Sequence, residues 1–177
     1  MRQSIEVAHH DGRVFARIHG LGNFSNAGPF REYVDAMVAH GTRHIVVDLE
    51  DCTGLDSTFM GVIMGFLTCP LEEDPDNHLS DEIVVTIINQ TAEARRALES
   101  VGLCALLDVR SDHVDIPQLK LQLLKDDWLD ERRRVLLIRH AHENLVRLDR
   151  RNESKFGPFI RALMADIETR NSRDRAQ

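Results

Sequence analysis

The sequence predicts an α/β fold: a mostly parallel β-sheet with packed helices, followed by a C-terminal α-helical hairpin extension. Three observations carry this. First, Ile45-Val-Val-Asp-Leu49 and Ile83-Val-Val-Thr-Ile-Ile88 are short apolar runs rich in β-branched residues, as in strands buried inside a sheet. Second, segments with apolar residues at helical spacing alternate with the strands, in the order β-β-α-β-α-β-α-β. That order implies right-handed crossovers and helices lying on the sheet. Third, the last third of the chain carries two long helical stripes.

Taken in order, Ile5, Val7 and the alternating Val14, Ala16, Ile18 predict two short strands joined by a turn at Asp11-Gly12. Gly20 to Gly28 is expected to be a loop, with Pro29 in the first turn of a helix. Phe30, Tyr33, Val34, Met37 and Val38 mark that helix, and Gly41 stops it. After the strand at Ile45 come a short loop and a helix starting near Thr58, which ends about Cys69, before Pro70. Glu72 to Asp81 is an acidic, turn-rich loop, and Ile83 to Ile88 is the next strand. Thr91 is placed to cap a helix through Ala94, Leu98 and Val101, which Gly102 closes. Leu106 and Leu107 open a last short strand.

Ser111 to Asp127 fits two patterns, because Leu119, Leu121 and Leu123 alternate like a strand while leucine also favours helix. Beyond it, Val135, Ile138, Ala141, Leu145 and Leu148 mark one helix face. Phe156, Phe159, Ile160, Leu163, Met164 and Ile167 mark another, with Ser154 as its cap. The chain divides accordingly into residues 1–110, the α/β domain, and 111–177, the helical extension. The stripes of the hairpin must bury against each other, the α/β body or a second chain, so a homodimer through the C-terminal helices is one of three arrangements.

At 177 residues the chain can bury a substantial core. Its net charge of −7 is unevenly spread: up to Arg110, 8 Arg face 17 acids, whereas 14 Lys and Arg face 12 acids from Ser111 onward. An acidic body argues against nucleic-acid binding, which needs clustered positive charge. No apolar run is long enough for a bilayer, and Met1-Arg-Gln-Ser-Ile-Glu6 lacks a signal-peptide core. Cys52, Cys69 and Cys104 are odd in number, widely spaced and in apolar surroundings, which predicts reduced thiols in the cytoplasm.

The most informative segment is Leu55-Asp-Ser-Thr-Phe-Met-Gly-Val-Ile-Met-Gly65. Asp56, Ser57 and Thr58 stand where unpaired backbone N–H groups favour an acceptor, and any of the three makes a good N-cap. The helix that follows is apolar on two sides. Met60, Ile63, Met64 and Leu67 suffice to hold it to the sheet, while Phe59, Val62 and Phe66 lie on another face. Gly61 and Gly65, one turn apart, point to the close approach of another backbone. Such a helix is either sandwiched in the fold, with the tail covering it, or presents a docking surface. In the second case a phosphate on Ser57 beside Asp56 would oppose an acidic or apolar partner.

Catalytic patterns are not supported. Leu55 and Phe59 flank Ser57 where a nucleophile elbow has glycines, and no Gly-rich phosphate or dinucleotide loop occurs. His9-His10 and His140-x-His142 do not share a helix face and read as surface histidines, with no metal or cofactor implied. Arg132-Arg133-Arg134 follows Asp130 and Glu131 in an ordinary helix start.

With these residues in view, roughly Ser4 to Arg110 resembles the STAS domain shared by sulfate transporters and anti-sigma-factor antagonists. The resemblance rests on Ile45 to Leu49 with Leu55 to Gly65, on Ala94-Arg-Arg-Ala-Leu-Glu-Ser-Val-Gly-Leu103, and on the order of elements. It implies a bacterial, cytoplasmic, non-enzymatic regulator of transcription that works by partner switching. Its partner would be an anti-sigma factor/serine-protein kinase, which brings its own ATP. Ser57 would be the phosphoacceptor, with Thr58 the second candidate. Asp56, Ser57, Thr58, Phe59, Val62 and Phe66 would form the partner-binding surface. The alternative is a structural or scaffolding STAS subunit, oligomeric or of lipid-transport type, in which Ser57 only caps its helix.

Overall fold

The computed structural model of the chain describes residues 3–67, 83–116, 118–125 and 130–174, with side chains to residue 169. The expected helix end at Cys69 and the acidic stretch Glu72 to Asp81 lie outside the described residues. Strand β1 (Ser4–His10) pairs antiparallel with β2 (Arg13–Gly22). Asp11 and Gly12 between them both have positive φ, 47° and 70°, the backbone that a two-residue hairpin turn requires. β2 runs parallel to β3 (His44–Asp48), β3 to β5 (Val84–Ile88), and β5 to the short β6 (Asp108–Val109). On the other edge β7 (Gln122–Leu123) pairs antiparallel with β1, giving the order β6-β5-β3-β2-β1-β7.

Alternation along the strands sorts side chains to two faces. Ile5, Val7, Ala16, Ile18, Ile45, Val47, Val85 and Ile87 meet helices α1 (Ala27–Ala39), α2 (Ser57–Leu67) and α3 (Ala92–Val101) in the main core. On the opposite face Phe15, Val46 and Ile88 form a smaller cluster under Val114, Ile116 and Leu119. The segment after β6 therefore returns across the sheet, tied down where Asn89 exchanges hydrogen bonds with the Val114 backbone. Thr91 caps α3 through the Ala94 N–H, and Gly102 ends it at φ 85°, as the sequence requires.

Four local expectations are corrected. β2 continues to Gly22, where a loop was expected from Gly20. A fourth strand, β4 (Cys52–Leu55), lies in the stretch expected to be a short loop. Gly20, at φ 70°, and the register shift that follows it turn the end of β2 away from β3 and onto β4. The last parallel strand is Asp108–Val109, directly after Leu106-Leu107, because a 3₁₀ turn at Leu103–Ala105 delays it. Finally, helix α5 (Arg151–Asp174) begins ahead of Ser154, whose hydroxyl bonds the Arg151 carbonyl within the first turn.

The C-terminal hairpin is formed by α4 (Glu131–Leu148) and α5. α4 lies along α2, with Leu137, Ala141 and Leu145 entering the main core. Ala141 and Leu145 of the expected stripe are thus buried, while Leu137 takes the place of Val135 and Ile138, which are only half-buried. Buried Asn152 donates to the carbonyls of Val101 and Leu145, joining the hairpin to the end of α3. Among the described residues, no helix is long and apolar enough to cross a membrane.

Candidate functional site

The N-terminus of α2 is set by Asp56. Its N–H donates to the Gly22 carbonyl at 2.9 Å, fixing it to the end of β2. One carboxylate oxygen accepts the Phe59 N–H at 2.8 Å and the other accepts the Phe24 N–H at 2.9 Å. Asp56 is therefore the N-cap, and it also holds the loop after β2 against the helix. Ser57 is the first helical residue and has no capping role, which overturns the reading in which it serves only as a cap.

The hydroxyl that this arrangement frees is not idle. Ser57 Oγ lies 2.9 Å from Nε2 of His142 on α4. The other ring nitrogen, Nδ1, lies 2.7 Å from the Ile138 carbonyl, which can only accept. Nδ1 therefore carries the proton, Nε2 offers a lone pair, and the Ser57 hydroxyl donates to it; the protons are assigned from this network. The ring is further held by Phe156 and Phe159 of α5, with centroids 5.2 and 4.7 Å away. His142 is buried, correcting the expectation of a surface histidine. Its place one residue beyond the buried Ala141 is the sequence signal, but that signal names no partner.

Ser57, Gly61 and Gly65 share one face of α2, being four residues apart. A Cβ on Gly61 would fall 2.1 Å from the Ala141 carbonyl oxygen, and one on Gly65 would fall 2.9 Å from the Asn144 amide nitrogen. Asn144 in turn donates to the Gly61 carbonyl at 3.2 Å. Gly61 thus admits another backbone, that of α4, as the spacing suggested, whereas Gly65 makes room for the Asn144 side chain of the same helix.

The remaining candidates are internal. Phe59 stacks on Phe30 of α1 at 5.5 Å between centroids, and Phe66 meets the same ring edge-on at 5.4 Å. Phe59, Val62 and Phe66 are 0, 2 and 3 % exposed, covered by the protein's own helices and not available as a surface in this conformation. Thr58 is buried as well, whereas Ser57 and Asp56 are half-buried. Phe24, beside Asp56, is 45 % exposed.

Beside this seam, a groove of about 350 Å³ separates α1, α2 and α4, lined among others by Arg31, Asp35, Arg139, His140 and Arg147. Burial, then the charge of Arg139, holds His140 below the ordinary histidine pKa. Neither Ser57 nor His142 lines this groove. Burial likewise raises the Cys52 and Cys104 thiols, so neither is poised as a thiolate. Among the described residues, no group of three or more His, Cys, Asp or Glu side chains could hold a metal ion.

No protein-family model matches the sequence, and neither does any curated protein sequence. Solved structures do. An anti-sigma factor antagonist from Mycobacterium paratuberculosis superposes with a TM-score of 0.50 at 18 % identity, over 63 % of this chain and 87 % of that one. The fold is that of the STAS domain. A putative anti-sigma factor antagonist from Thermotoga maritima gives 0.48 at 19 % identity over 60 % of this chain and 85 % of that one. The anti-sigma factor antagonist SpoIIAA in its unphosphorylated form gives 0.46 at 14 %, over 61 and 89 %. Within this STAS fold, α2 carries Ser57 at its first residue and has α4 along one side.

Proposed function

We propose that this protein is a non-catalytic regulator of transcription that acts by partner switching, in the manner of an anti-sigma-factor antagonist. In this reading it binds an anti-sigma factor/serine-protein kinase, and phosphorylation of Ser57 by that kinase ends the binding. The observation that carries the reading is the state of Ser57 within a STAS fold. Asp56 takes over the capping of α2, so the Ser57 hydroxyl is left half-buried at the helix start, with His142 as a breakable partner. Burial of Thr58 supports Ser57 as the phosphoacceptor.

A second reading, a structural or scaffolding subunit, is favoured by one observation: Phe59, Val62 and Phe66 are already covered by the chain itself. A homodimer through the C-terminal helices would then rest on α5, whose Ile160, Leu163, Met164 and Ile167 are only half-buried. The inner stripe of α4 is used within the chain.

Intact-mass analysis of the protein from its native cells, with fragmentation across Leu55 to Gly65, separates the two. A phosphate on Ser57, together with a kinase-like partner retained by wild type and lost by Ser57→Asp, supports partner switching. An unmodified segment in both growing and stressed cells rejects it in favour of the structural subunit.

A further inference from the structure

We propose that the α4–α5 hairpin is a lid on the Ser57 face of α2, latched by the Ser57–His142 hydrogen bond, so that hairpin docking and a phosphate on Ser57 exclude one another. The inference rests on the reading of Ser57 as a phosphoacceptor and adds the element that responds to it.

Three features of the seam carry it. The first is the latch, a 2.9 Å bond between side chains 85 residues apart. The His142 ring is fixed from three sides, by the Ile138 carbonyl, Phe156 and Phe159, so Nε2 stays aimed at Ser57. The second is the absence of slack. Backbone meets backbone where α4 passes Gly61, and no side chain there can rotate to make room. The third is the sign of the charge. Asp56 already stands beside Ser57, with its carboxylate engaged by the Phe59 and Phe24 N–H groups.

Phosphorylation reverses each of these. As ATP on the kinase gives up its γ-phosphoryl group, the Oγ–P bond forms and the bond to ADP breaks. The hydroxyl proton leaves to a base of the kinase. The donor that held Nε2 is gone. In its place stand acceptor oxygens carrying about −1.5 to −2 charges, facing a ring lone pair and lying next to a carboxylate. A group larger than the hydroxyl must also find room where Oγ already lies 2.9 Å from the His142 ring. Docked hairpin and phosphoserine cannot share that space.

The rest of the hairpin's anchoring is uneven. Arg133 to Glu32 is an exposed ion pair, which contributes little. Asn152, buried against Val101 and Leu145, holds the far end to α3. Leu137, Ala141 and Leu145 also seat α4 in the main core, so opening must lift them out, and the α3 end is the part held by buried hydrogen bonds. In the closed state the chain itself occupies the face of α2 that carries Ser57 and Gly61, while Phe59 and Phe66 pack on Phe30 of α1.

The test uses the full-length chain with Ser57→phosphoserine installed by genetic-code expansion and verified by intact mass. Gly61→Ala is the second variant, because it crowds α4 without touching Ser57. Hydrogen exchange is followed across α2, α4 and the central strands β3 and β5. The expected result is at least tenfold faster exchange in α4 of both variants, with a clearly smaller change in β3 and β5. Wild-type protection of α4 in the phosphoserine form overturns the proposal. So does loss of α4 and β3 together in both variants, since the hairpin would then be an inseparable part of the core. Neither outcome bears on whether Ser57 is phosphorylated in cells, which is read separately from native protein.

Discussion

Gly61→Ala tests the packing on which the site depends, because two readings of the same residue give opposite signs. In a helix face open to solvent, replacing glycine by alanine stabilises by about 1 kcal/mol through helix propensity. Here the added methyl would fall 2.1 Å from the carbonyl oxygen, 2.4 Å from the carbonyl carbon and 2.7 Å from the Cα of Ala141. Favourable contact needs about 3.5 Å, so α4 must retreat by about 1 Å or more. All three atoms are backbone, which cannot rotate aside, and this puts the strain toward the upper part of the usual overpacking range of about 1–3 kcal/mol. After the propensity gain, the net loss is about 1–2 kcal/mol, or roughly 3–6 °C in Tm for a chain of this size. Gly65→Ala is the internal control. Its methyl meets only the Asn144 amide at 2.9 Å, the end of a side chain that can swing away, so its net effect is near zero. Urea and thermal unfolding of the two variants measure this directly. If Gly61→Ala raises Tm while Gly65→Ala leaves it unchanged, α4 does not lie on α2 as described, and the account of the site fails with it.

Three further outcomes are expected. A double-mutant cycle of Ser57→Ala and His142→Phe, the latter keeping the ring contacts to Phe156 and Phe159, should give a coupling of about 1 kcal/mol in urea unfolding; a coupling of zero means the bond is not formed in solution. Asn152→Ala removes the side-chain donor to the Val101 and Leu145 carbonyls, the latter keeping the Asp149 N–H, and should destabilise by about 1–3 kcal/mol in the same assay, whereas a change below about 0.5 kcal/mol would show that the hairpin is not anchored there. Burial, ahead of the nearby Arg13 charge, holds His44 below the ordinary histidine pKa, and burial and Arg139 do the same for His140. The unfolded chain then binds more protons than the folded one, so stability is complete above about pH 6.5 and falls as the pH drops below it. Unfolding curves between pH 7.5 and 5.5 should show this slope in wild type and a shallower one in His44→Gln; equal slopes would remove His44 as a contributor.

Much of the α/β body was legible because its signals are local. The β-branched runs at Ile45 and Val84, the Asp11-Gly12 turn, and the Thr91 and Gly102 caps each follow from the conformational preferences of a few adjacent residues. β4 was not legible, since Cys-Thr-Gly-Leu has little strand character and pairs only because Gly20 bends β2 toward it. Helix start signals fared differently at their two sites. At α3 one residue could cap and did, while at α2 three neighbouring residues could, and only the fold showed that Asp56 does.

The sequence by itself determined that α2 is apolar on two sides, that it starts close to Asp56-Ser57-Thr58, and that its glycines point to the close approach of another segment. These are properties of helical periodicity and side-chain size, which need no partner to be defined. Only the tertiary structure decided what fills that room. The covering helix begins more than sixty residues later in the chain, and its His142 reaches Ser57 through an approach that no local preference encodes. A helix face specifies that something must bury it; which segment does so depends on the geometry of the whole chain.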